Sequence, residues 1–211
     1  MSIKLVIFDL DGVIVSTDEL HYKSWKYVAD LENIPFNKEI NHNLRGVSRK
    51  ESLEIILRKA SRSYSDVEKE NLMKKKNDYY LELLNDLSEN DLLPKVKETL
   101  IKLKEMNVLV AIGSSSKNAK KILKQIKLID SFDCISDGTN ITNSKPDPEV
   151  FLYAAEKLNI KPNECLVVED AESGIIAGNR AQMKTAGIGS ASSFVGCTYK
   201  INVVDEIIKY I

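Results

Sequence analysis

Apolar positions along this chain gather into short continuous runs, each of which stops at acidic, glycine or serine residues. The run at 3–8 meets Asp-Leu-Asp-Gly, a sequence that opposes continuation of a buried strand and favours a loop. Similar runs at 108–112, 134–135, 166–168 and 185–188 predict further strands. Between them, helical spacing predicts helices over 96–106, 119–126, 148–158 and 173–181. Strands alternating with helices imply a parallel α/β sheet.

From about Thr17 to Leu87 the pattern changes. The stretches SRKESLEIILRKA and KENLMKKKNDYYLELLNDL are charged and helix-favouring, and no strand-like run interrupts them. This predicts an α/β core made of 1–17 and 93–211, with a small helical domain of 18–92 inserted into it. Pro94 offers a start signal for the helix that returns the chain to the core, which puts hinges near Asp18 and Leu93.

Length and charge narrow the classes. The 211 residues suffice for one catalytic core with a small accessory module. Thirty basic against thirty-one acidic residues give no support to general nucleic-acid or membrane-surface binding. Cys134, Cys165 and Cys197 are an odd number and lack the close pairs of zinc or redox motifs. No run approaches the ~20 apolar residues of a membrane span, and the first residues lack the flanks of a signal peptide. A monomeric, cytoplasmic protein is expected, with neither nucleic-acid nor membrane partners.

In an open parallel sheet, ligands bind beyond the carboxyl ends of the strands. That rule brings four distant segments to one place: Asp9 and Asp11, Ser114 to Asn118, Lys145, and Glu169 with Asp170. Alone, Asp9 reads equally well as a turn residue. Grouped, the carboxylates would repel one another unless a hard cation lay between them, and magnesium, which prefers oxygen ligands, suits Asp9, Asp170 and the carbonyl of Asp11. One carboxylate can then attack phosphorus while a second moves a proton, which assigns nucleophile to Asp9 and acid/base to Asp11. Gly113-Ser114-Ser115-Ser116-Lys117-Asn118 reads either as an anion site or as an N-cap cluster, and Lys145 either as a surface lysine or as a charge facing phosphoryl oxygens.

In their order, DLDGVIVST, GSSSKN, Lys145-Pro-Asp-Pro and VVEDAESGIIAG resemble the four motifs of the haloacid dehalogenase superfamily, and they span nearly the whole core. The resemblance implies a Rossmann-like parallel sheet and one magnesium ion per chain. It also places the nucleophile on Asp9, the acid/base on Asp11, transferring-phosphate ligands on Ser114, Ser115 and Lys145, and metal carboxylates on Asp9, Glu169 and Asp170, beside Asp11. The segments LRGVSRKESL, KKKND and STDELHYKSW resemble the β-phosphoglucomutase branch of that superfamily. This implies that Thr17, His21, Trp25, Arg45, Gly46, Val47, Ser48, Arg49, Ser52, Lys76 and Asn77 meet a sugar phosphate from the cap, with Ser116, Lys117 and Asn118 meeting it from the core. As helix-face or packing residues, Arg49, Lys76, Trp25 and His21 also have ordinary structural readings.

Two positions depart from the branch pattern: Arg45 stands in place of lysine, and Ala171 in place of a serine. The expected activity is interconversion of β-D-glucose 1-phosphate and glucose 6-phosphate through an aspartyl-phosphate enzyme and glucose 1,6-bisphosphate. The rivals are a sugar-phosphate phosphatase on the same scaffold and a non-catalytic phosphate- or metal-binding module. The segment after Ser190 carries no readable chemistry.

Overall fold

A computed structural model of the chain describes residues 2–44 and 47–211, so Arg45 and Gly46 lie outside the described residues. Strand β1 (Leu5–Phe8) is fully buried and runs parallel between β2 (Leu109–Gly113) and β4 (Cys165–Glu169). Adding β3 (Cys134–Ser136), β5 (Lys184–Gly187) and β6 (Tyr199–Lys200) gives one six-stranded parallel sheet in the order β3-β2-β1-β4-β5-β6. Phe8 pairs with Ile112 on one side and Val168 on the other. The three central strands therefore finish level, and the loops carrying Asp9, Ser114 and Glu169 leave the sheet side by side.

Helices α1 (Asp18–Leu31), α2 (Lys38–His42), α3 (Arg49–Leu57) and α4 (Asp66–Leu83) lie between β1 and β2 in the chain. Helices α5 (Val96–Glu105), α6 (Ala119–Gln125), α7 (Glu149–Lys157) and α8 (Glu172–Arg180) alternate with the later strands. Two apolar clusters involve the sheet, and Trp25, Val28, Phe36, Leu53, Ile56 and Leu72 form a third among α1–α4 and their connections. Packing changes partners within α4, since Leu72 belongs to the helical cluster whereas Tyr80, two turns on, belongs to a sheet cluster.

Local sequence starts the helices of this layer. Ser48 with Glu51, and Ser65 with Glu68, close reciprocal capping boxes at α3 and α4; one cap of this kind is worth about 0.5–2 kcal/mol. Hydrogen bonds from Lys121 Nζ to Leu81 O (3.2 Å) and from Gln125 Nε2 to Leu84 O (3.1 Å) join α6 to the carboxyl end of α4. Among the described residues, no helix is long and apolar enough to cross a membrane.

Candidate active site

A cavity of about 900 Å³ opens between the carboxyl ends of β1, β2 and β4 and the helical layer. Asp9, Asp11, Ser114, Lys145, Glu169 and Asp170 line it from the sheet side, joined by Ser115, Ser116, Lys117 and Asn118. His21, Trp25, Val47, Ser48, Arg49, Ser52, Lys76 and Asn77 line it from the helical side. Thr17 is buried behind Asp11 instead.

Asp9 is fixed by the sheet, because its N–H donates to Val168 O at 2.9 Å. The ammonium of Lys145, fully buried, lies 2.5 Å from both Asp9 Oδ1 and Glu169 Oε1. Glu169 also accepts from Ala171 N–H through Oε2 at 2.9 Å. Both its oxygens are thereby engaged, and the backbone of Ala171 supplies a donor that needs no hydroxyl at this position. One carboxylate oxygen from each of Asp9, Glu169 and Asp170 falls in a group within 4.8 Å of one another. Burial pushes the Asp9 carboxyl well above its ordinary range; Lys145 opposes the rise, whereas Glu169, Asp170 and Asp11 add to it. A cluster made only of carboxylate oxygens and destabilised by its own charge fits a hard divalent cation.

Gly12 has φ +81°, and a Cβ there would run into the Asp170 carboxylate, so only glycine lets the loop after β1 approach β4 this closely. Asp11, one residue before it, accepts a hydrogen bond from the Thr17 hydroxyl through Oδ1. Burial raises the Asp11 carboxyl to about 6, against the lowering influence of Thr17, Lys76 and Lys145.

After β2, Ser114 Oγ accepts from Ser116 N–H (3.1 Å) and Ser116 Oγ from Asn118 N–H (3.2 Å). Those two hydroxyls shape the turn into α6, while the Ser115 hydroxyl is buried with no hydrogen-bond partner. A Cβ on Gly138 would press on the Ser115 carbonyl, so the loop after β3 supports this turn by close approach.

On the helical side, Asn77 Oδ1 accepts from Arg49 Nη2 (2.6 Å) and from Asn118 Nδ2 (2.9 Å), linking α3, α4 and the start of α6. Lys76 Nζ sits 2.9 Å from His21 Nδ1 and 4.2 Å from the centre of the Tyr80 ring. Burial, reinforced by Lys76 and Arg49, holds His21 well below its ordinary range. Burial likewise lowers Lys76, with Arg49 adding to the fall and Asp11 resisting it. Trp25 both lines the cavity and packs in the helical cluster, and Ser48, also in the cavity wall, has its hydroxyl engaged by Glu51 in the α3 capping box.

Sequence reasoning overlooked Tyr80 and Ser190. Ser190 Oγ donates to the backbone carbonyl of Asp170 at 2.7 Å, so the segment unreadable by pattern steadies the main chain that carries a cluster residue. Its hydroxyl lies 20 positions from Asp170, and nothing in the local sequence signals that contact.

Residues 6–188 match the haloacid dehalogenase-like hydrolase family. A β-phosphoglucomutase of Bacillus subtilis (strain 168) is 42% identical over 206 residues, which is 97% of this chain and 91% of that protein. A phosphorylated carbohydrates phosphatase of Thermotoga maritima is 30% identical over 185 residues, 87% of this chain and 81% of its own. The crystal structure of β-phosphoglucomutase from Clostridium difficile superposes with a TM-score of 0.92 at 37% identity, covering 99% of this chain and 95% of that one.

Proposed function

The chain belongs to the haloacid dehalogenase-like hydrolase family, and on that premise we propose that it is a β-phosphoglucomutase, a phosphotransferase that interconverts β-D-glucose 1-phosphate and glucose 6-phosphate. The near-full-length likeness to the Bacillus subtilis enzyme carries the choice of mutase over hydrolase. The cavity suits it, because besides the Asp9 group it holds a second set of phosphate-fitting donors: Arg49, Ser116, Lys117 and Asn118.

In this mechanism a carboxylate oxygen of Asp9 forms a bond to phosphorus as the bond from phosphorus to the departing oxygen breaks, giving an aspartyl phosphate. Asp11 protonates that oxygen, and in the next step removes the proton from the 6-hydroxyl of an incoming β-D-glucose 1-phosphate, whose oxygen bonds to phosphorus as the Asp9–phosphorus bond breaks, giving glucose 1,6-bisphosphate. Lys145 and Ser114, with Ser115, balance and orient the phosphoryl oxygens, while Glu169 holds Lys145 in place. The bisphosphate formed must turn end for end, and the second set of donors receives whichever phosphate is not reacting. Magnesium, one ion per chain, would be held by Asp9, Asp170 and the Asp11 carbonyl, and when bound it neutralises charge on the transferring group. The segment 18–92 serves as a cap that excludes water while the sugar is present.

The rival hydrolase reading has support in the Thermotoga maritima phosphatase. Incubation with magnesium, β-D-glucose 1-phosphate and a trace of glucose 1,6-bisphosphate separates the two. Accumulation of glucose 6-phosphate supports the mutase, and release of inorganic phosphate alone replaces it with a phosphatase.

A further inference from the structure

Tyr80 is among the largest fully buried side chains of the protein, and it lies in an apolar cluster where phenylalanine would pack without a polar atom to satisfy. Its hydroxyl donates to Thr17 Oγ1 at 3.2 Å, and the Thr17 hydroxyl in turn donates to Asp11 Oδ1. Tyr80 and Thr17 are 63 positions apart, so two hydrogen bonds in series connect helix α4 to the carboxylate beside the cluster. Burial keeps the phenol neutral and therefore a donor, an effect that the Asp11 charge reinforces.

A threonine hydroxyl has one proton to give. By occupying a lone pair of Thr17 Oγ1, Tyr80 favours the rotamer in which that proton points at Asp11. We propose that Tyr80 is a positioning residue for the phosphoryl-transfer reaction, acting through Thr17 to fix the Asp11 carboxylate by Oδ1 and present Oδ2 to the reacting oxygen. The same side chain reports on the cap. Its ring packs against His21 at 4.4 Å between centroids, tilted by 36°, and Lys76, one turn earlier on α4, stands over it. A ligand that moves Lys76 or His21 thus shifts the group that orients Asp11.

This inference rests on the reading of Asp11 as general acid and base, which mutase and phosphatase share. Its test therefore reads total phosphoryl turnover, sugar phosphate and inorganic phosphate together, and stands whichever product dominates. Tyr80→Phe keeps the ring and removes the hydroxyl; kcat should fall about fivefold, the equivalent of one hydrogen bond, with KM and melting temperature close to the parent's. In a Thr17→Val background, which has already lost the relay, adding Tyr80→Phe should cost nothing more. Thr17→Ser retains a hydroxyl, and there Tyr80→Phe should again cost about fivefold. An unchanged kcat in folded Tyr80→Phe overturns the proposal, as do losses that multiply in the Thr17→Val double variant.

Discussion

The Lys145 ammonium, with no exposure to solvent, lies 2.5 Å from Oδ1 of Asp9. A buried lysine survives in the charged state only when carboxylates face it, and Asp9 and Glu169 hold this one above its ordinary range despite the opposing effect of burial. Lys145→Met removes the countercharge and leaves two buried carboxylates against each other. A loss of stability of about 3–5 kcal/mol is expected, the size seen when one partner of a buried pair is removed. Urea denaturation of parent and variant measures it, and phosphoryl turnover should vanish as well. An equally stable Lys145→Met would show that the contact carries little of the local electrostatics.

Asp11→Asn retains the backbone carbonyl offered to the metal and abolishes proton transfer. The chemical step should slow by roughly 10²–10⁴-fold. Magnesium affinity, followed as the rise in melting temperature with added metal, should stay near the parent's. Loss of metal affinity with a fast residual step would place Asp11 in the metal shell alone.

Much of this site was legible in the sequence because strand termination is a local signal. The Asp-Leu-Asp-Gly turn, the serine run and Glu169-Asp170 each follow a predicted strand, and level strand ends bring them together. The Ser65 and Glu68 capping box at α4, a local helix-start signal of the right spacing, went unread. Long-range side-chain contacts were not legible: Tyr80 sits among charged helix positions, and its bond to Thr17 exists only because α4 packs beside the start of α1. Strand β6, two residues long, is defined by pairing with Ala186 and Gly187 instead of by any apolar run. The expected segment boundary at 92 follows chain connectivity, whereas packing changes partners earlier, inside α4.

His21 supplies a pH dependence. Burial depresses its folded pKa, so below about 6.5, where the unfolded histidine gains a proton and the folded one does not, the unfolded state binds more protons. Stability should therefore fall as pH drops through that range. Comparing urea midpoints from pH 5 to 8, His21→Asn should show a shallower decline than the parent. Parallel profiles would mean that His21 charges as easily in the folded protein as in the unfolded chain.

Arg49, a member of the second donor set, links α3 to Asn77 by donating to its Oδ1. Charge-assisted hydrogen bonds are worth about 1.5–3 kcal/mol each, so Arg49→Ala should lower turnover of the sugar phosphate at least about tenfold. Hydrolysis of a small phosphate ester with no second phosphate should change far less. Equal impairment of both rates would assign Arg49 to the general integrity of the cavity.

Transfer of label from the enzyme tests the mutase mechanism most directly. The protein is phosphorylated with a ³²P-labelled donor in magnesium, freed of donor, and mixed with unlabelled β-D-glucose 1-phosphate within a single turnover. The label should leave the parent as glucose 1,6-bisphosphate and then appear in glucose phosphates, and Asp9→Asn should take up none. Label released to water as inorganic phosphate, or a fully labelled Asp9→Asn, would contradict the assignment of Asp9 as the carrier that returns its phosphoryl group to the sugar.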